Sequence, residues 1–293
     1  MPFDCGRTAA LRYAYHSQGA RHAHGVSVFR ILLFQRPGFH YTESHADGKV
    51  PSLKRRGVLI TLEGTDGTGK STQLRLLAGW LRRRGYRPHV TREPGGTRVG
   101  EQIRSVLLAS SNRKLTAWSE LLLMYAARHQ HLEEVVRPAL RRGELVLSDR
   151  FNDSSFAYQG YGRKLGKRPV EIVDAQVCGS TQPDLTIILD APPRLALKRA
   201  TKRGKAATDS RFENEGLRFQ ARVRRGYLAI AHEQPGRVKI VRAGLPANDV
   251  QAEIREIVGA FLARRLHRRS PRKGTRPPEE VPRRAERVNS VAC

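Results

Sequence analysis

The sequence predicts an α/β fold, a five-stranded parallel sheet with helices on both faces, and three observations carry the prediction. Short β-rich apolar runs alternate with segments of helical period between Gly57 and Leu266. The first run passes directly into a glycine-rich loop that opens a helix. Apolar residues make up 39% of the 293 positions, enough for a sizeable buried core. Strand–helix alternation of this kind implies parallel neighbours joined by right-handed crossovers.

Val58-Leu59-Ile60-Thr61-Leu62 is a near-continuous apolar run, as expected of a strand covered on both faces. From Lys70 to Arg84, Leu74, Leu77, Ala78 and Leu81 recur at helical spacing, and Gly85 is placed to end the helix. Next come a strand over Arg87–Thr91, a helix over Arg98–Leu108, a long helix over Ser119–Arg142 with a bend before Pro138, and a strand over Leu145–Ser148. The pattern continues with a helical stretch at Val170–Cys178, a strand at Leu185–Leu189, and helices at Arg194–Arg203 and Glu213–Glu233. A strand at Val238–Val241 and a helix over Asp249–Leu266 complete it. The Leu121-Leu122-Leu123 run fits either core or interface.

Three widely spaced cysteines, Cys5, Cys178 and Cys293, form no CxxC pair; they fit a reducing cytoplasm and point to neither a disulfide framework nor a zinc site. No run approaches the ~18 apolar residues that a membrane span needs. The formal charge of +27 favours anionic partners without choosing among them. Much of the excess falls in an Arg-rich segment beyond residue 266, so 267–293 is expected to be a basic disordered tail, binding nucleic acid non-specifically if at all. Residues 1–54 lack a sustained period and are expected to be a poorly ordered extension, with the functional start near Val50. The domain proper is placed at 55–266.

Gly64-Thr65-Asp66-Gly67-Thr68-Gly69-Lys70-Ser71 satisfies GxxxxGK[ST] between a strand and a helix. Backbone N–H groups of such a loop curl round the phosphates of ATP, Lys70 reaches the β- and γ-phosphates, and Ser71 holds Mg2+. This makes the expected fold that of a P-loop NTPase. Asp149, ending its strand, suits the second acidic element near the metal, the alternative being a cap for the next helix. Arg150, at the carboxyl edge of a parallel sheet, suits an anionic substrate.

With these residues in view, the chain resembles bacterial thymidylate kinase from about Val58 to Leu262. The resemblance rests on the P-loop together with Thr91-Arg92-Glu93-Pro94-Gly95-Gly96-Thr97, Tyr125-Ala126-Ala127-Arg128, Asp149-Arg150-Phe151, Ala157-Tyr158-Gln159-Gly160 and Arg211-Phe212-Glu213. It implies phosphorylation of dTMP to dTDP by ATP and Mg2+, in a homodimer. It also implies that Asp66 accepts from the acceptor's 3′-hydroxyl, that Arg92 and Arg150 line the monophosphate site, that Arg128 reads the thymine edge, and that Tyr158 flanks sugar and base. Ser155 matches a polar position near the base, and Phe212 and Glu213 the pair that contacts nucleotide and metal shell.

Two departures accompany the resemblance. Some members carry an arginine at the place of Gly67, so the catalytic cation is expected from a lid at about 199–212, with Arg199 at the ATP site and Arg203 catalytic. Lys198, Lys202 and Lys205 lie in the same cluster, and Thr201 stands where lid-type members often have a further arginine. The phenylalanine that usually stacks on the base is replaced by Met124, with Tyr125 as the neighbouring candidate. No general base is evident, and in-line transfer to an ionised phosphate requires none.

Overall fold

The computed structural model describes residues 56–204, 211–212 and 215–267; of Arg203, Gly204, Leu266 and His267 it describes the backbone alone. The expectations for 1–54, for Lys205, for Glu213 and for the chain beyond 267 lie outside the described residues.

The chain runs β1 (Val58–Glu63), α1 (Lys70–Arg83), β2 (Pro88–Arg92), α2 (Arg98–Leu108) and α3 (Ala117–His131). After a wide turn at Leu132–Val136 come α4 (Arg137–Arg141), β3 (Leu145–Asp149) and α5 (Asn152–Ser155), which continues as wide helical turns over Phe156–Gly162. It then runs α6 (Lys167–Val177), β4 (Leu185–Asp190), α7 (Pro193–Gly204), α8 (Gly216–Glu233), β5 (Val238–Arg242) and α9 (Ala247–His267). The five strands are all parallel, in the order β2-β3-β1-β4-β5.

β1 lies at the centre, and all six of its residues are buried. Alternation splits them between two layers. Val58, Ile60 and Leu62 pack with Leu74, Leu77 and Leu81 of α1 and Ile254 and Val258 of α9. Leu59 joins Leu121 and Tyr125 of α3, Val146 of β3 and Val170 of α6 on the other face. A third cluster, built on Phe219, Val223 and Tyr227 of α8, surrounds Tyr158 and Phe212. Leu121 is core, whereas Leu122 is exposed.

The bend expected before Pro138 takes the form of the wide turn Leu132–Val136, with Pro138 near the start of α4. Proline has no N–H to offer the carbonyl four residues back, and the helix widens to accommodate it. The helix over 152–162 is absent from the sequence reading. Its first four residues, Asn-Asp-Ser-Ser, are all buried, so no polar face marks it as helical. Conversely, 199–204, assigned to the lid, are the last turns of α7.

Candidate functional site

The C-terminal ends of β1, β2 and β3 meet at one edge of the sheet, and the loops leaving them build the site. Between β1 and α1 the chain turns through Gly64 and Gly67, both at positive φ (132° and 86°). A Cβ on Gly67 would come within 1.9 Å of the Ala196 carbonyl oxygen. Helix α7 therefore closes the position at which other sequences carry an arginine.

Lys70 is buried, donating to the carbonyls of Gly64 (3.1 Å) and Thr65 (2.9 Å), with Asp66 Oδ1 at 3.8 Å. Burial, reinforced by the charge of Arg150, pushes its ammonium down to about 8 against the pull of Asp66 and Asp149. Ser71 Oγ donates to Asp149 Oδ2 at 2.7 Å. A hydroxyl and a carboxylate oxygen thus share one spot at the sheet edge, and Asp149 caps no helix. Among the described residues no group of three or more His, Cys, Asp or Glu forms an all-protein metal cage. Magnesium does not need one, because it retains waters and takes substrate phosphate oxygens beside one or two protein oxygens. The Ser71–Asp149 pair fits that requirement.

Arg150 leaves β3 in the left-handed region, φ 73°, its N–H bonded to Leu62 O at 3.0 Å. A non-glycine residue persists there only when its surroundings over-determine it. Here they do. Nη1 donates to Gly64 O at 2.9 Å, and Nη2 to Asp66 Oδ1 at 2.7 Å and Tyr158 Oη at 3.0 Å. Burial works against ionisation of Asp66, but Arg150 and Lys70 hold its carboxyl below the usual range.

This junction forms one end of a cavity. Its walls include Arg104 and Leu108 from α2, Met124 and Arg128 from α3, Ser155, Tyr158 and Gln159 from the 152–162 helix, and Phe212. Arg128 is 2% exposed. Its Nε donates to Glu93 Oε2 at 2.7 Å, Nη1 to Ser155 Oγ at 2.9 Å and Nη2 to Phe151 O at 3.0 Å. Glu93 also meets His131 Nδ1 at 2.9 Å, and burial of its carboxyl is outweighed by Arg128 and then His131, so it stays below the usual range. Met124, one turn before Arg128, reaches the cavity. Tyr125 does not. It is buried beneath Arg128, whose guanidinium lies 4.4 Å from its ring centre, and its hydroxyl donates to Asp174 at 3.0 Å.

Among the predicted site residues, Gly64–Ser71, Asp149 and Arg150 converge at the P-loop, and Asp66, Met124, Arg128, Arg150, Ser155, Tyr158 and Phe212 line the cavity. Arg92 stands apart: half-exposed and paired with Glu101 at 3.0 Å, it shares a separate groove with Ser71 and Asp149. Arg199 donates to the carbonyls of Ala243 (2.6 Å) and Gly244 (3.4 Å), fastening α7 to the loop after β5. The Arg203 side chain and Glu213 lie outside the described residues. Arg104 and Gln159 line the cavity without having been singled out. Arg104 sits three residues after Glu101 on a helix given no site residue from the sequence, and Gln159 lies inside a recognised block that assigned it no role.

A P-loop at the head of a parallel sheet, opening onto a cavity that presents buried arginines, defines a P-loop kinase of the small-molecule type. The family profile described as Thymidylate kinase matches residues 62–254. The chain is 44% identical over 212 residues to a protein named Thymidylate kinase from Desulfovibrio desulfuricans, covering 71% of this chain and 98% of the relative. It is 48% identical over 206 residues to one from Teredinibacter turnerae, covering 70% and 99%. The solved crystal structure of thymidylate kinase from Ehrlichia chaffeensis superposes with a TM-score of 0.56 at 31% identity, covering 70% of this chain and 99% of that one. This chain belongs to the thymidylate kinase family.

Proposed function

We propose that the chain transfers the γ-phosphate of ATP to dTMP, giving dTDP, with the acceptor held in the cavity and the donor on the P-loop. The observation that carries this reading is Arg150, which bonds the P-loop carbonyl of Gly64 and the Asp66 carboxylate while lining the cavity. A phosphate monoester bound at that arginine lies beside the loop that holds the donor.

The loop's N–H groups and Lys70 take the β- and γ-phosphates of ATP. Magnesium on Ser71 and Asp149, when bound, neutralises charge on the phosphate oxygens. Arg150 orients the acceptor phosphate; Arg104, a cavity residue within electrostatic reach of Arg150, Arg92 and Asp149, assists. Asp66 accepts from the 3′-hydroxyl, Arg128 reads the thymine edge beside Ser155, Met124 and Phe212 flank the ring, and Tyr158 closes on the sugar. Arg203 supplies the cation that follows the moving phosphoryl group, and Glu213 would help to hold the metal. Positioning and charge suffice, because phosphoryl transfer asks little covalent work of the protein.

Two further proposals accompany this reading. Helices α2 and α3 pack side by side and expose Val99, Val106, Trp118 and Leu122; such apolar surface supports a homodimer, checked by sedimentation. No helix of the described residues is long and apolar enough to cross a membrane, and the separated cysteines support a cytoplasmic site of action. A coupled assay of ATP against a panel of nucleoside monophosphates tests the central reading: dTMP should be the best acceptor. Inactivity on every monophosphate, with ATP hydrolysis on binding DNA, would overturn it.

A further inference from the structure

Glu63, the last residue of β1, is fully buried and does not line the cavity. Its carboxylate nevertheless receives three donors: Phe151 N–H on Oε1 at 2.7 Å, and Ser154 Oγ at 2.6 Å and Tyr227 Oη at 2.9 Å on Oε2. A hydroxyl has one proton to give. The Ser154 and Tyr227 oxygens also lie 2.9 Å apart, close enough for either to donate to the other, and both accept from Arg150 Nη1, at 3.1 and 3.0 Å, sharing its two protons with the Gly64 carbonyl at 2.9 Å. The two hydroxyls thus connect Arg150 to Glu63.

We propose that Glu63 is the positioning residue for the acceptor-phosphate site: by orienting the Ser154 and Tyr227 hydroxyls it holds the Arg150 guanidinium at the junction of P-loop and cavity. An amide at this position must donate as well as accept. One hydroxyl would then have to turn its proton from residue 63 to the other hydroxyl, 2.9 Å away, occupying a lone pair that otherwise faces Arg150 and loosening the hold on the guanidinium. Burial and then the Asp153 carboxylate push Glu63 up to about 7, against the charge of Arg150. Lys70, Tyr158, Tyr227 and Arg237 complete the titratable groups facing it.

This inference rests on the proposed acceptor, and its test separates the two. Calorimetric titration of wild type, Glu63→Gln, Tyr227→Phe and the double variant with dTMP and with thymidine isolates the phosphate, because thymidine lacks it. Glu63→Gln should weaken dTMP binding about tenfold and leave thymidine within about twofold, the loss expected for a weakened hydrogen bond to a charged group. Tyr227→Phe should lose a smaller, equally dTMP-selective share, and the double variant should be no worse than Glu63→Gln. Equal weakening of both ligands, or of neither, would make Glu63 a scaffold residue and overturn the inference. If Glu63→Gln does not fold, Tyr227→Phe decides alone by the same criterion. Wild type that binds dTMP no better than thymidine would instead overturn the acceptor assignment on which this depends.

Discussion

The acceptor cavity and the phosphate loop adjoin, yet they are built differently. Around the cavity the polar side chains are buried and already engaged: Arg128 has Glu93, Ser155 and the Phe151 carbonyl, and Arg150 has Asp66, Tyr158, Ser154 and Tyr227. At the donor end, Ser71 is exposed and Arg92 half-exposed. The polar groups of the cavity are fixed by the protein, whereas part of the sheet edge beside the phosphate loop lies open to solvent. An arginine in the first region is therefore expected to carry stability as well as recognition, and a cation in the second to carry rate.

Lys70→Ala should sharpen this contrast most, lowering turnover by about 10³ or more while melting remains within a few degrees of wild type. Equal turnover with equal melting would remove Lys70 from the ATP site. Next in size is Arg128→Ala. It strands the buried Glu93 charge, so stability should fall by about 3–5 kcal/mol and KM for dTMP should rise steeply. Adding Glu93→Gln should recover stability without recovering KM; recovery of both would show Arg128 to be purely structural. Arg203→Ala tests the proposed lid cation and should lower kcat roughly 10- to 100-fold with little change in KM for dTMP. A pure affinity loss would break the division by moving the rate-carrying cation elsewhere.

Two smaller effects probe the cavity from beneath and within. The Glu63 carboxyl is raised from 4.5 to about 7, so the folded protein holds that proton more firmly than the unfolded chain. Across that window its contribution to stability falls as pH rises. The melting difference, wild type minus Glu63→Gln, should accordingly shrink between pH 5 and 7.5 on the scale of those two values; a flat difference would mean that Glu63 does not titrate there. Last, dTMP should be preferred to deoxyuridine monophosphate by roughly 10- to 100-fold, as one methyl in an apolar pocket allows. Met124→Phe should raise that ratio by supplying a flat face in place of a flexible thioether. Tyr125→Leu should instead lower stability and loosen Arg128, since that ring supports the arginine from below. A change of the ratio through Tyr125 alone would relocate the stacking residue.

What the sequence by itself determined is the part governed by local rules. Strand and helix periods, a glycine loop between β1 and α1, a proline that widens a helix and the order of the short motifs are all properties of neighbouring residues, so the five strands and the P-loop were legible. The tertiary structure alone decided the order β2-β3-β1-β4-β5, the helix over 152–162 and the partners of the charged groups. That helix has no polar face because its surroundings bury it, so no period announces it. Arg128 finds Glu93 across 35 positions, Ser154 finds Glu63 across 91, and Tyr227 finds Glu63 across 164. A buried polar group must be satisfied by whatever donor or acceptor the fold brings beside it. That pairing is set by the topology of the sheet, and nothing within a few residues of Glu63, Arg104 or Gln159 encodes it.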